Sequence, residues 1–154
     1  MTKEVMSRKA ADNEYLHKDF HGAMNLGLRY LEEKYGPEAV REYLREFTRA
    51  YYKPLIDDIR ERGLVALKEH FERIYRIEGA PVSMTLTEDE LVLDVPACPA
   101  VTHLRERGID VSPMFVETTR TVNQALCEDT PFAAELVEYE ESTGRSRQRF
   151  YRRN

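Results

Sequence analysis

In Val95-Pro96-Ala97-Cys98-Pro99-Ala100-Val101-Thr102-His103-Leu104 a strand-like run ends at a Cys-Pro step and a helix-like run begins. Proline suits the first position of a helix. Cys98 therefore falls at the N-cap, where the helix dipole and the unpaired amides favour thiolate over thiol. Such a thiolate would be a nucleophile or a metal ligand, with His103 as a candidate base about one turn later. Cys98 and His103 are the catalytic candidates, set against the plainer reading of a small cysteine buried at a helix cap. His17 and His21, spaced i,i+4, share one helical face and are the candidate ligands of a divalent metal such as zinc. Asp19 could orient one ring, and Cys98, His103 and Glu117 are natural further ligands. The competing reading is a chance pair on a helix surface. A third group, Glu117, Arg120, Asn123 and Gln124, falls at spacings of three and four on a helix that reaches Cys127. It could present a polar wall in which Arg120 takes a substrate carboxylate bidentately, or simply face solvent.

The elements that must position these residues follow from periodicity. Asp12 or Asn13 is a plausible N-cap for a helix with Leu16, Phe20, Met24, Leu28, Leu31 and Tyr35 as its apolar stripe. Gly22 and Gly27 inside it suggest a close backbone approach or a tight helix crossing. Gly36-Pro37 ends this helix and starts a second, whose apolar face is Val40, Tyr43, Leu44, Phe47 and Tyr51. Lys53-Pro54 predicts a break before Leu55, and Gly63 closes that short piece. Residues 64 to 77 form another helix pattern with Leu67, His70, Phe71, Ile74 and Tyr75 inside. Five of the tyrosines, Tyr30, Tyr43, Tyr51, Tyr52 and Tyr75, read as core-edge residues.

From Ser83 the period changes to two. Met84, Leu86, Leu91, Leu93 and Val95 alternate around a turn at 87–90, which predicts a hairpin. The Cys98 helix runs to Gly108, and Ser112-Pro113 predicts the cap and first turn of the next helix. Ala133 to Tyr139 and Arg145 to Tyr151 form a second hairpin around Ser142-Thr143-Gly144. Arg145, Arg147 and Arg149 share one face there, with Glu138 and Glu140 as expected cross-strand partners and anion binding as the alternative. The expected fold is α+β: a helical N-terminal half packed on a small, mostly antiparallel four-stranded sheet. Residues 1–11 read as a flexible leader and 12–154 as a single domain.

The chain has 154 residues, 42% hydrophobic and 33% charged, with net charge −5. That balance argues against a mainly electrostatic grip on nucleic acid. No run approaches the roughly eighteen apolar residues of a spanning helix, so no membrane partner is expected. With two cysteines, Cys98 and Cys127, and no secretory h-region in the polar first thirteen residues, reduced thiols and a cytoplasmic location are expected. Neither a phosphate-binding Gly-rich loop nor a dinucleotide fingerprint is present. A homo-oligomer is compatible with all of this.

Taken together, Cys98-Pro99 with His103, the Glu117-Thr118-Thr119-Arg120 helix reaching Cys127, the final hairpin around Gly144 and Tyr15-Leu16-His17-Lys18-Asp19-Phe20-His21 resemble the small bacterial proteins of the L-2-aminothiazoline-4-carboxylate hydrolase-like family. The resemblance spans nearly the whole chain. It implies hydrolytic opening of a sulfur-nitrogen ring and a pocket for a small amino-acid-like acid. The cysteine expected in the last strand is missing, since Ser146, Arg147 and Gln148 stand there. Three functions follow for comparison. One is a small-molecule hydrolase acting on a C–N bond, with Cys98 as nucleophile or metal ligand, His103 or His21 as base and Arg120 as carboxylate holder. The others are a non-catalytic ligand-binding or sensor domain and a helical interaction module.

Overall fold

A computed structural model of the protein describes residues 18–154. The leader at 1–11, the N-cap at Asp12 or Asn13, Leu16 and His17 lie outside the described residues. Four helices come first: α1 (Asp19–Tyr35), α2 (Pro37–Tyr51), α3 (Lys53–Arg62) and α4 (Leu64–Glu78). Glycine and proline set their borders as the sequence predicts. Gly36, Gly63 and Gly79 stand at the ends of α1, α3 and α4 with positive φ, where a side chain would strain the backbone. Prolines occupy the first turns of α2 and α3. Two strands follow, β1 (Ser83–Leu86) and β2 (Glu90–Val95), then α5 (Pro99–Glu106), α6 (Glu117–Cys127), β3 (Phe132–Glu140) and β4 (Arg145–Arg152).

The fold is α+β, with four helices leading into a four-stranded antiparallel sheet of order β1-β2-β4-β3. The two hairpins are joined through β2 and β4, where Leu91 faces Phe150 and Leu93 faces Gln148. Alternation puts Leu91, Leu93, Val95 and Phe150 on the buried face with Ser146 and Gln148. The helices cover that face: Leu28, Val40, Leu44, Ile59, Leu67 and Leu104 join it in one continuous core. β3 carries a bulge between Leu136 and Glu138. Buried leucine and valine side chains of this kind each contribute about 1.5–3 kcal/mol over exposure.

Three expectations are corrected or extended. The helix after Ser112-Pro113 begins later, at Glu117, because the Ser112 hydroxyl accepts the Met114 amide (3.1 Å) and the Ser112 amide donates to Asn25 Oδ1 (2.7 Å). Those bonds hold the segment against α1 as a turn. The arginine ladder keeps its expected register, with Glu138 opposite Arg147 and Glu140 opposite Arg145 on β3, but its shortest ion pairs run to β2: Arg147 with Asp94 (2.8 Å) and Arg149 with Glu90 (2.6 Å), with Glu135 of β3 at 3.5 Å from Arg149. The third concerns Gly22 and Gly27, where a Cβ would meet nothing within 4 Å, so neither marks a close crossing.

The tight glycine is Gly144. Its φ is +69°, and a Cβ there would lie 2.4 Å from the Cys98 Cβ. Thr143 O also accepts the Cys98 amide at 2.9 Å, so the β3–β4 turn is seated on the start of α5. Gly144→Ala is expected to lower unfolding free energy by about 3 kcal/mol. Gly22→Ala or Gly27→Ala should raise it by about 0.5–1 kcal/mol. Urea unfolding of the three variants reads both signs.

Candidate functional site

Between α1, α2 and α4 lies a cavity of about 690 Å³, lined also by the starts of α3 and α5 and by Phe115, Thr118 and Val122. That size suits a small organic ligand. Helical spacing explains how each wall is made. α4 presents His70, Arg73, Ile74 and Glu78, at i, i+3, i+4 and i+8, and α1 presents Phe20, His21 and Met24. α2 adds Leu44, Phe47 and Tyr51, and the turn into α3 adds Tyr52. Phe47 lies parallel to Tyr51 (5.3 Å between centroids, 10°), while Tyr52 stands perpendicular to Phe47, Tyr51 and His70.

The polar centre of this cavity is a hydrogen bond between His21 Nε2 and Glu78 Oε1 at 2.9 Å. The Glu78 side chain is only 2% exposed and that of His21 15%. A buried carboxylate needs such a partner. When Nε2 carries the proton and donates to Glu78, Nδ1 keeps its lone pair and can accept a proton. His103 lies behind His21, with ring centroids 6.1 Å apart, and does not line the cavity. His21 thus has a carboxylate partner, and the expected metal pairing with His17 falls on a residue outside the described ones. Among the described residues no three His, Cys, Asp or Glu side chains are grouped to hold a metal ion.

Cys98 lines the cavity from the N-cap of α5, with extended backbone (φ −72°, ψ 122°). Its expected thiolate character is reversed. Burial pushes the thiol pKa up, and the amides of Val101 and Ala100 pull it down less strongly. Glu78 adds a further upward push. At neutral pH Cys98 is a thiol. Cys127, at the end of α6, is buried and pushed up to about 12.

The remaining candidates are placed elsewhere. Glu117 is 2% exposed and accepts from Arg120 Nη1 (2.8 Å) and Thr121 Oγ1 (2.6 Å), with Arg41 Nε at 3.6 Å. Arg120 is spent on that contact between α2 and α6, away from the cavity. Asn123 donates to Gln148 Oε1 (2.8 Å), whose own amide donates to Ser146 Oγ (3.0 Å), so it braces the underside of the sheet. From this helix it is Thr118 and Val122 that reach the cavity.

Glu78, Arg73, His70 as a wall residue and the ring cluster at the mouth are site features that motif reading missed. The signal available was the polar interruption of an apolar stripe: His70, Arg73 and Glu78 share a face of α4 with Ile74.

Burial, with Arg73 nearby, depresses the His70 pKa from 6.5 to about 4. Between those values the unfolded chain binds a proton that the folded chain refuses. Folding therefore loses stability as pH falls from 6.5 toward 4, by roughly 3 kcal/mol at most. His70→Gln should remove this part of the pH dependence, read as the change in urea midpoint between about pH 7 and about pH 4. For the thiols, reaction with a disulfide reagent at neutral pH should run at least about ten-fold slower than in the urea-unfolded chain. Faster reaction of folded Cys98 would restore the thiolate. Searches of protein-family models and of curated proteins find nothing that matches this chain.

Proposed function

We propose that this protein binds a small, largely apolar organic molecule in the cavity between α1, α2 and α4. The observation that carries this reading is an aromatic-walled cavity of about 690 Å³ into which a buried His–Glu pair is built. An apolar ligand body would lie against Phe47, Tyr52 and Met24, gaining from the area it removes from water. Thr118, the Cys98 thiol and the free nitrogen of His21 would supply the few polar contacts that orient it. Arg120 is bonded to Glu117 and does not line the cavity, so it has no part in this reading. Both cysteines are unpaired, which accords with a reducing, cytoplasmic setting. Among the described residues no helix is long and apolar enough to cross a membrane.

A second reading, hydrolysis of a C–N bond, is favoured by the His21–Glu78 geometry. A carboxylate that fixes an imidazole in one tautomer prepares the other nitrogen to take a proton from water. In that reaction His21 is the base and Glu78 its positioning residue; Cys98, held as a thiol, contacts substrate without attacking it. The likeness of the Cys98-Pro99 and Glu117–Arg120 segments to the aminothiazoline-carboxylate hydrolase-like family points the same way.

The chain has nine tyrosines and no tryptophan, so tyrosine emission and ligand-observed NMR are suitable readouts for a fragment library. Saturable binding that Met24→Trp abolishes, without loss of the native fold, is expected. Binding indifferent to Met24→Trp would move the ligand elsewhere. For hydrolysis, a panel of cyclic and open amides and amidines is followed for product. Turnover that His21→Gln, which keeps a donor for Glu78, lowers by about a hundred-fold or more, with binding weakened far less, is the expected result. Unchanged ligand after prolonged incubation would leave binding alone.

A further inference from the structure

Arg73 and Glu78 are the formally charged side chains on the cavity wall apart from the histidines, and their situations differ. Glu78 is taken up by His21. Arg73 makes no ion pair or hydrogen bond among the described residues, although most other arginines of the helical layer do, including Arg41, Arg45, Arg49, Arg60 and Arg62. One helical turn before it, His70 also forms no hydrogen bond among the described residues. Yet every fully buried side-chain nitrogen or oxygen there has a partner. The His70 nitrogens are therefore not fully buried, and the residue lines the cavity. Burial holds this imidazole neutral above about pH 4, so it can donate one hydrogen bond without adding charge.

We infer that Arg73 and His70 form an acid-binding subsite, and that the ligand is a simple carboxylate on an apolar body without an ammonium group. This rests on the cavity being the binding site and says what it selects. One guanidinium with one neutral donor matches a monoanion; a phosphate dianion would call for more cationic groups. An ammonium group would need a free carboxylate, and the one carboxylate among the lining residues is already bonded to His21. An amino-acid-like zwitterion, which the family resemblance implies, would leave its charged nitrogen desolvated and unpaired.

The experiment compares four probes of one ring size on the full chain by ligand-observed NMR: phenylacetate, phenylacetamide, L-phenylalanine and phenyl phosphate. Phenylacetate should bind at least about ten-fold tighter than each of the others. Arg73→Gln should reduce the acid-to-amide ratio to near one while leaving phenylacetamide binding and the urea midpoint unchanged. His70→Phe should weaken phenylacetate several-fold, and His70→Gln, which keeps a donor, should weaken it less. Equal binding of acid and amide would overturn the subsite while leaving the cavity reading intact. Tighter L-phenylalanine or phenyl phosphate would overturn the ligand class. Failure of all four to bind would remove the cavity reading and this inference together.

Discussion

A carboxylate buried as deeply as that of Glu78, 2% exposed, costs several kcal/mol in desolvation unless something bonds to it. The partner is His21 at 2.9 Å, fifty-seven residues away in sequence. This one bond ties the first helix to the last turn of the fourth. Farther along α1, Asn25 makes a second tie, donating to Asp110 O (2.9 Å) and accepting from the Ser112 amide (2.7 Å). α1 is held at two points on one face, and the cavity is the space between it, α2 and α4. Loss of His21 or of Glu78 would leave its partner unpaired in a site already stripped of water, so the pair shapes the cavity as well as furnishing it.

The same close packing decides the fate of Cys98. A helix N-terminus favours thiolate through its dipole and free amides, and that argument considers only the helix. Here the β3–β4 turn is seated on the start of α5: Thr143 O takes the Cys98 amide, and Gly144 lets the backbone come within reach of the Cys98 Cβ. The contact that fixes the position of the sulfur also excludes the water that would stabilise its charge. Burial wins over the two amides. Tyr139 is pushed up to about 12 by its own burial, with Cys98 among its neighbours.

Local signals made the architecture legible. The change of period at Ser83, the glycine and proline borders of the helices and the two hairpin turns all concern residues near one another in the chain. Strand order was harder, because either strand of the second hairpin can join the first; the choice of β4 sends Arg147 and Arg149 to Asp94 and Glu90. The site was legible only in part. His21 and Cys98 announce themselves by type, but a polar residue on a helix reads as solvent-facing until its partner is known. Glu117 meets Arg41, and Asn123 meets Gln148, pairings across long stretches of chain that no spacing rule contains. For the same reason Glu78 gave no motif signal.

α2 shows why the cavity mouth stays rich in exposed rings. Its apolar stripe is wider than one packing partner can cover. Val40, Leu44 and Thr48 are buried, whereas Tyr43 is 44% and Tyr51 66% exposed. The uncovered rings lean on one another: Phe47 is stacked with Phe20, Tyr43 and Tyr51. Stacking of this kind is worth about 0.5–1.5 kcal/mol per pair beyond area burial, less than full burial of each ring would contribute. The helix therefore keeps apolar surface in water that a wider helical layer would have covered, and two of its rings, Phe47 and Tyr51, line the cavity. On the reading that the cavity takes a ligand with an apolar body, these two rings would give up that surface to the ligand.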